Sequence, residues 1–281
     1  MRCNWDAIRV LCLLLAAALG AMAQPAGAGN FRFAILGDRT GGNQPGVYEQ
    51  VWREIAAERP AFVLGVGDTI EGMDDATAQS QWLQVTRILA PYRSLPLYLA
   101  AGNHDIWSPG SERLFRKFSG RAPHYSFNYQ HVHFTVLDNS RSEQFTAAEL
   151  QFLENDLRAS SAKPVKIIVS HRPSWVLHAA WENPAFELHR LAKKYGVKYV
   201  IAGHLHMMLY VNLEGISYLS APSAGGHLRG SRKYEDGWLF GYILVEVRGT
   251  EVRLQIKELK PPHGKGRISP MEEWGRAGLL R

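Results

Sequence analysis

The fold is indicated first by the stretch FRFAILGDRT, residues 31–40, in which an apolar, strand-like segment ends directly in a glycine and polar residues. The same arrangement recurs where the apolar segments 61–66, 96–100, 165–169 and 199–202 each lead into a short polar segment. The run at 61–66 is continuously apolar, as in a strand buried on both faces. Ligands of α/β sheets bind at the carboxyl ends of such strands, so the polar segments are the candidate site.

The five polar segments contain the residue types that bind hard or borderline divalent metals. They read GDRT (37–40), GD (67–68), GNHD (102–105), SH (170–171) and GHLH (203–206). They supply carboxylates, a carboxamide and neutral imidazoles, which suit such metals. One segment alone is typical of a turn or a helix cap. Five in succession, each at the end of a strand, predict a hydrolytic metal site.

The regions between and after these segments predict the architecture. Helical spacing is present at 47–58, 76–89, 111–118, 147–157 and 184–194, and further strands are predicted at 125–129, 132–137, 207–213, 216–220, 239–247 and 251–259. Strand–helix alternation followed by strands predicts two packed sheets with helices outside, in one domain over residues 31–260. The segment 261–281, rich in glycine, proline and charge, is predicted to be a surface tail.

The N-terminus has the pattern of a signal peptide over residues 1–23. Arg2 and Arg9 form a basic region before a short apolar run at 10–19, and the sequence AMA at 21–23 fits a small-x-small cleavage site. The mature chain is then expected to begin at Gln24, with residues 24–30 as a linker. A retained membrane anchor is the alternative, but the apolar run is short for a span. The pattern predicts a periplasmic or secreted protein with no membrane span after cleavage.

Cysteine usage and net charge exclude several function classes. Cys3 and Cys12 both fall in the predicted signal peptide, so the mature chain is expected to have no thiol nucleophile, thiolate ligand or disulfide. The net charge of +6 is scattered and includes no long basic run. This pattern lacks a nucleic-acid platform and argues against a nuclease. The positive charge favours only a general attraction of anionic substrates.

The order and spacing of the polar segments resemble the pattern of calcineurin-like metallophosphoesterases. That pattern reads D-x-H, G-D, G-N-H-[DE], H and G-H-x-H, and the resemblance extends over residues 31–258. It implies an α/β fold of the four-layer αββα type, with two mixed sheets flanked by helices and a dinuclear centre at the edge. It also implies one or two divalent metal ions per chain, of Mn, Fe, Zn or a similar element.

The resemblance also implies a set of ligands for a first and a second metal. Asp68 resembles the carboxylate that bridges both metals. The remaining ligands of the second metal are matched by Asn103, His171 and His204, and those of the first metal by Asp38 and His206.

The chain departs from the family pattern at Thr40, where a further histidine ligand of the first metal is usual. Because a threonine hydroxyl is a poor ligand for transition metals, two outcomes stay open. The site is either dinuclear with a weaker, wetter first metal, or mononuclear. Arg39, Thr40 and the amides of Gly41 and Gly42 are candidates for contacting a substrate phosphate. A surface salt bridge is the alternative for Arg39.

Further residues are assigned to acid catalysis and to the substrate. His104 resembles the general acid that protonates the leaving oxygen, and Asp105 resembles the residue that orients its ring. Such an acid is needed because an alkoxide leaves poorly unless it is protonated as the P–O bond breaks. His227 and Arg229 are additional candidates for reaching the phosphate.

These features together predict an exported metal-dependent phosphoesterase for a small phosphorylated substrate, either a monoester or a diester. The resemblance implies attack on phosphorus by a metal-bound hydroxide. A mononuclear phosphodiesterase or a pyrophosphatase-like hydrolase is the alternative among enzymes. A catalytically weak phospholigand-binding protein is the alternative outside enzymes, favoured by Thr40. The His104–Asp105 pair argues against that alternative, because binding alone needs no general acid.

Overall fold

The computed structural model describes residues 29–274, and in this part the strands form two six-stranded sheets. Residues 1–28 and 275–281 lie outside the described part. The predicted signal peptide, most of the predicted linker and the end of the predicted tail fall on them. No helix within residues 29–274 is long and apolar enough to cross a bilayer.

Both sheets are mixed. In chain order the strands are β1 (Phe31–Leu36), β2 (Val63–Gly65), β3 (Leu97–Leu99), β4 (Tyr125–Tyr129), β5 (Val132–Val136), β6 (Val165–Val169), β7 (Tyr199–Ala202), β8 (Leu209–Leu213), β9 (Ile216–Ser220), β10 (Gly241–Arg248), β11 (Glu251–Glu258) and β12 (Ile268–Pro270). The first sheet has the order β12-β11-β10-β1-β2-β3, and the second has the order β4-β5-β6-β7-β9-β8. Strands β1 to β3 pair in parallel, as do β5, β6, β7 and β9. The remaining pairs are antiparallel.

Helices connect most of the parallel strands. They are α1 (Val47–Ala57), α2 (Asp75–Leu89), α3 (Pro109–Ser119), α4 (Ala147–Ala159), α5 (Val176–Ala180) and α6 (Glu187–Lys194). The starts of α2 and α4 are examples of side-chain capping. The side chain of Asp74 accepts from the amide of Ala76 at the start of α2, and Thr146 accepts from the amide of Glu149 at the start of α4. Such caps satisfy amides that have no partner within the helix.

Strand β1 shows why the apolar run at residues 31–36 is nearly continuous. Phe31, Phe33 and Ile35 belong to the core between the two sheets. The alternate residues Ala34 and Leu36 belong to a second cluster that includes the buried face of α1. Because successive side chains of a strand point to opposite faces, a strand between two apolar layers needs apolar residues at both sets of positions.

Aromatic rings join the two sheets face to face. Phe62, immediately before β2, stacks on Phe33 with ring centroids 4.9 Å apart. The edge-to-face contact of Phe62 with Phe134 of the second sheet has a centroid distance of 5.6 Å. The outer face of the second sheet is covered by α4, α5 and α6 through a separate apolar cluster. The four-layer αββα architecture expected from the sequence is therefore confirmed.

The largest difference from the predicted helix bounds is at residues 184–194. The segment 184–194 was expected to be a single helix, but the observed helix α6 begins only at Glu187. The preceding short helix α5 was not predicted, although Ala179 and the adjoining Trp175 are buried beneath it. A helix of five residues is too short to show a helical period, so its sequence gives little signal.

The C-terminal segment corrects the prediction of a surface tail. Strand β12 pairs with β11 along the edge of the first sheet. Met271 and Trp274 are buried beyond it, and the indole of Trp274 donates to the hydroxyl of Ser269 at 2.9 Å. The segment thus belongs to the fold as far as residue 274. The apolar residues that it buries are too few and too widely spaced among glycines and prolines to be recognised as a strand.

A buried polar network ties β5 to α4 on the side of the second sheet away from the inner core. The carboxylate of Asp156 accepts from Thr135 at 2.6 Å and from Ser126 at 2.6 Å, and lies 2.8 Å from the imidazole of His133. Burial alone would raise the pKa of Asp156, but hydrogen bonds from His133, Ser126 and Thr135 hold that pKa below its usual range. The network therefore favours the ionised carboxylate in the folded state.

Asp156→Ala is expected to lower the free energy of unfolding by about 1–3 kcal/mol, because the buried His133 loses its partner. The lowered pKa of Asp156 means that its stabilisation is fully present above the unfolded-state pKa, about 3.9. That stabilisation is lost as the pH falls through the lower folded-state pKa. Urea denaturation at neutral pH and under strongly acidic conditions measures both effects. Asn155→Ala, on the exposed side of α4, is the control, and an equal loss in both variants contradicts the role of Asp156.

Candidate metal centre

The candidate ligands lie where the two sheets meet at the carboxyl ends of their parallel strands. The first sheet supplies Asp38 after β1, Asp68 after β2 and Asn103 after β3, and the second supplies His171 after β6 and His204 and His206 after β7. Side chains separated by up to 168 residues in sequence are therefore brought to one edge of the sandwich.

Two glycines make the close approach of these loops possible. A Cβ atom on Gly67, whose φ is +104°, would lie 2.7 Å from the backbone of Gly102 and from the imidazole of His171. A Cβ atom on Gly102 would lie 2.2 Å from the Oδ1 atom of Asp68. Asp68 itself and His204 have positive φ values of 56° and 69°. Non-glycine residues rarely adopt this conformation, and its retention at such a site fits a functional constraint.

The cluster at the second metal position consists of Asp68, Asn103, His171 and His204. The Nε2 atom of His171 lies 3.0 Å from Oδ1 of Asn103 and 3.3 Å from Oδ1 of Asp68. It also lies 3.2 Å from Nδ1 of His204. The Nδ1 atom of His171 is 2.9 Å from the carbonyl oxygen of Val66, to which it donates. That hydrogen bond leaves Nε2 as the nitrogen available to a metal.

The cluster at the first metal position consists of Asp38, Asp68 and His206. The Nε2 atom of His206 lies 3.4 Å from Oδ2 of Asp38, and its Nδ1 atom donates to the carbonyl of His227 at 2.8 Å. The potential ligand atoms of Asp38, Asp68 and His206 all lie within 4.8 Å of one another, as do those of Asp68, His171 and His204. Asp68 is shared, so it occupies the place that a bridging carboxylate needs.

Strong electrostatic coupling links the charged members of the centre. Burial would raise the pKa of Asp68, but the adjacent His171 holds that pKa well below its usual range. Burial would lower the pKa of His171, but the charge of Asp68 raises it to about 9. Burial and the charge of His171 lower the pKa of His204 to about 4. The buried carboxylates thus favour positive charge between them.

Two buried carboxylate oxygens show that the residues fit a bound cation. Within the described part of the chain, Oδ1 of Asp38 and Oδ2 of Asp68 have no hydrogen-bond partner. Buried polar atoms are almost always paired, so two unpaired oxygens in one centre point to a missing electropositive partner. Carboxylate, carboxamide and imidazole donors suit a divalent metal such as Mn, Fe or Zn.

Thr40 is fully buried and turned away from the cluster at the first metal position. Its hydroxyl lies 2.7 Å from the carbonyl oxygen of Ile70 and 3.0 Å from that of Asp68, positioned to donate to them. The side chain therefore braces the backbone of one ligand loop. A substrate phosphate has no access to Thr40, which corrects its assignment as a substrate contact.

Arg39 lies in neither of the places proposed from the sequence. Only 4% of the residue is exposed, and its guanidinium donates to the carbonyl of Thr69 at 3.2 Å. It also lies 5.5 Å from the ring centroid of Tyr48. A buried guanidinium can neither reach a substrate nor form a surface salt bridge, so both expectations for Arg39 are wrong.

Glu71 fills the anion-binding loop that the two glycines were expected to offer to a phosphate. Its carboxylate accepts from the amides of Gly41, Gly42 and Asn43, with the shortest of these distances at 2.9 Å. Three successive amides pointing into one concavity form a site for negative charge. Sequence reasoning did not single out Glu71, because its position in GDTIEG (67–72) gives no local sign of a contact with the consecutive glycines at 41–42.

His104 is partly exposed at the mouth of the centre. Its side chain is 20% exposed, with Nε2 4.0 Å from Oδ2 of Asp68. Its Nδ1 atom forms a short hydrogen bond to the carbonyl oxygen of Glu71. This carbonyl, and not Asp105, therefore holds the imidazole ring.

Asp105 has a different role from the one that the resemblance implied. Its carboxylate accepts from the amides of Thr69 at 2.8 Å, Ile70 at 3.3 Å and Gly102 at 3.0 Å. Burial and the nearby charge of Asp68 raise the pKa of Asp105 to about 7. Asp105 therefore joins two ligand-bearing loops through their backbones, and the expectation that it orients the ring of His104 is corrected.

Asn139 is a positioning residue that sequence reasoning left without a role. Its Oδ1 atom accepts from the amides of His171 at 3.1 Å and Arg172 at 3.0 Å, and its Nδ2 atom donates to the carbonyl of Arg172. It follows β5 as the predicted ligands follow their strands, and this position was the available signal. It fixes the loop that carries His171.

His227 and Arg229 are exposed residues of a loop beside the cluster at the first metal position. His227 contributes its carbonyl oxygen, which accepts from His206. The Nη2 atom of Arg229 lies 3.5 Å from Nε2 of His206. Of the four candidate substrate residues, Arg229 is the one whose side chain is placed at the centre.

Two mixed sheets with carboxylate and imidazole clusters at their shared edge define the class of metallophosphoesterases. Residues 31–208 match the family model for calcineurin-like phosphoesterases. The chain belongs to that family, and it is a phosphate ester hydrolase.

The relatives of known identity are acid phosphatases. The chain is 25% identical over 293 residues to human tartrate-resistant acid phosphatase type 5, covering 88% of this chain and 87% of the relative. The rat protein of the same name is 24% identical over 315 residues, covering 91% and 94%.

Solved structures share the fold. The chain superposes on a purple acid phosphatase from yellow lupin with a TM-score of 0.67 and 18% identity, covering 86% of this chain and 53% of the lupin chain. It therefore spans about half of that larger protein. The superposition on GAP50 of Plasmodium, an anchor in the inner membrane complex, has a TM-score of 0.60 at 16% identity, covering 90% and 89%.

Proposed function

We propose that this chain is an exported phosphatase that hydrolyses small phosphate monoesters with one or two divalent metal ions. The observation that carries the proposal is the pair of unpartnered, buried carboxylate oxygens of Asp38 and Asp68 among three histidines. Similarity to acid phosphatases over most of the chain supports monoesters over diesters. The signal-peptide pattern at residues 1–23 supports export to the periplasm or the medium.

The two clusters divide the metal-binding role between them. A second metal would be held by Asp68, Asn103, His171 and His204, and a first metal by Asp38, Asp68 and His206. When bound, a divalent metal activates water as a nucleophile near neutral pH and polarises the phosphoryl oxygens. The hydrogen bonds from His171 to Val66 and from His206 to His227 fix both imidazoles before any metal binds. Preset ligands lower the cost of assembling the centre.

His104 is placed to act as the general acid. Because a carbonyl oxygen only accepts, the hydrogen bond to Glu71 requires a proton on Nδ1 of His104. The imidazole can then donate from Nε2 only in its doubly protonated form. The Nε2 atom lies 4.0 Å from Oδ2 of Asp68, at the mouth of the centre. Nε2 transfers its proton to the leaving oxygen, and the neutral imidazole that remains keeps its hydrogen bond to Glu71.

Turnover and metal content of the mature chain, beginning at Gln24, test this function. The assay compares an aryl phosphomonoester with the matching diaryl diester, each in the presence of Mn²⁺, Fe²⁺ or Zn²⁺. Metal-dependent hydrolysis with faster turnover of the monoester is expected. Preference for the diester would move the assignment to a phosphodiesterase. Tight binding of phosphate with metal present but no turnover would support the phospholigand-binding alternative instead.

Export is tested separately from chemistry. Expression of the full chain in a bacterial host, followed by fractionation and N-terminal sequencing, is expected to give a soluble exported protein beginning at Gln24. A variant with Leu13 and Leu14 both changed to Arg interrupts the apolar run and is expected to keep the protein in the cytoplasm. Uncleaved protein in the membrane fraction would support a retained anchor.

A further inference from the structure

The first metal position has fewer protein ligands than the second. Asp38, Asp68 and His206 surround it, and Asp68 is shared with the other cluster. The side chain at position 40 contributes nothing, because the hydroxyl of Thr40 lies against the carbonyl oxygens of Asp68 and Ile70. With three ligands, one of them shared, this position is expected to bind a metal ion weakly. The negative charge of its carboxylates is then only partly compensated.

The loop at residues 223–229 is fastened directly against this position. The amides of Ala224 and Gly226 donate to the carbonyl of Asp38 at 2.9 Å and 3.1 Å, and the amide of His227 donates to that of Gly41 at 3.1 Å. A Cβ atom on Gly226 would lie 2.4 Å from the Cε1 atom of His206. The loop backbone therefore packs against His206. The backbone that leads to the next cationic side chain is held in place by these hydrogen bonds.

That side chain is Arg229, and its guanidinium lies at the metal-facing nitrogen of His206. The Nη2 atom is 3.5 Å from Nε2 of His206. Because Nδ1 of His206 donates to the carbonyl of His227, Nε2 carries the lone pair that a first metal needs. A guanidinium has only donors, so it faces the lone pair with positive charge.

Gly41 provides the space for this arrangement. A Cβ atom on Gly41, whose φ is +80°, would lie 2.8 Å from Cε1 of His206 and 3.5 Å from Nη2 of Arg229. Any side chain at this residue would meet both groups. The missing histidine at Thr40, the glycine that follows it and the arginine beside His206 are thus three features of one local arrangement.

We propose that the guanidinium of Arg229 supplies the positive charge of the first metal position, so that the enzyme works with one firmly held metal ion. This inference rests on the proposed phosphatase function. Like charges a few ångströms apart repel, so a guanidinium beside Nε2 of His206 weakens the binding of a divalent ion there. The planar donors of arginine also suit phosphoryl oxygens, and its exposed position lets it reach a substrate.

Metal stoichiometry and the affinity for a second ion test the inference. Wild-type protein, dialysed against a mild chelator, is expected to hold one Mn²⁺ per chain by elemental analysis. Arg229→Met is expected to reduce kcat by ~10²-fold or more, as for loss of a transition-state charge contact. The same variant is expected to bind a second Mn²⁺ at least tenfold more tightly in equilibrium dialysis. Arg229→Lys keeps the charge and is expected to keep one ion per chain, with partial activity.

Arg232→Met is the matched control, because it removes an exposed arginine of the same segment. It is expected to change neither kcat nor the affinity for the second ion. Two tightly held ions in the active wild-type protein would overturn the inference and leave the phosphatase function standing. A slow Arg229→Met variant with unchanged affinity for the second ion would also overturn it, since Arg229 would then bind substrate alone. Absence of metal-dependent hydrolysis in wild-type protein would instead overturn the proposed function.

Discussion

His171→Ala is expected to lose the tightly bound metal ion and to reduce phosphatase activity by ~10³-fold or more, since metal polarisation contributes several kcal/mol. The Nε2 atom of His171 lies at the middle of the cluster at the second metal position, within 3.3 Å of Asp68, Asn103 and His204. Its removal takes away an imidazole donor that no neighbouring side chain can replace. Elemental analysis and steady-state kinetics of the purified variant measure the two losses.

The control for this variant is His189→Ala, which removes another buried histidine. His189 lies between the hydroxyl of Tyr218 at 2.9 Å and the carboxylate of Glu214 at 3.1 Å, and it belongs to neither cluster. That variant is expected to be less stable but to retain its metal. Full metal content and wild-type turnover in His171→Ala would show that the metal centre has been placed wrongly.

His104→Ala is expected to keep its metal but to hydrolyse alkyl phosphates ~10²–10⁴-fold more slowly. The residue lies at the edge of the centre and supplies a proton, so its loss affects the leaving group more than the metal. Aryl phosphates with good leaving groups are expected to lose less, because their oxygens need less protonation. The ratio of the two losses, measured at equal metal content, is the decisive quantity.

An equal loss for alkyl and aryl phosphates would remove His104 from acid catalysis. Such a result would leave the imidazole with a positioning role, for example through its hydrogen bond to the carbonyl oxygen of Glu71. Glu71→Ala gives a second view, because the carbonyl that holds the His104 ring survives in it. In that variant the loop at residues 41–43 is expected to be disturbed. The ratio of the loss for alkyl phosphates to the loss for aryl phosphates is expected to be smaller than in His104→Ala.

The sequence was most informative where a strand and a ligand are adjacent in the chain. The nearly continuous apolar run of β1 is followed directly by Asp38, and a second apolar run by Asp68, so each short segment indicates both a buried strand and a ligand. Each such segment has its own local signal, and their shared edge follows from the geometry of parallel strands. The sandwich and the clustering of the candidate ligands were accessible for that reason.

Contacts between distant loops could not be predicted in the same way. Arg39 was expected either to contact a substrate phosphate or to form a surface salt bridge, since arginine is usually exposed. Instead it is buried against the carbonyl of Thr69 and the ring of Tyr48. Glu71 reaches back 30 residues to the amide of Gly41, and no period or spacing in the sequence records that contact. Asp105 was assigned to the ring of its neighbour His104, whereas its partners are backbone amides of its own turn and of the turn at residues 69–70. Such pairings depend on the assembled tertiary structure.

The division of the six candidate ligands between the sheets has a consequence for folding. Asp38, Asp68 and Asn103 come from one sheet, and the three histidines come from the other. A bound ion is therefore a cross-link between the two layers, and only the native arrangement offers it a site. By mass action, an ion at 100 times its dissociation constant adds about 2.7 kcal/mol to the free energy of unfolding. Metal supply during folding is thus expected to affect the stability of the protein as well as its activity.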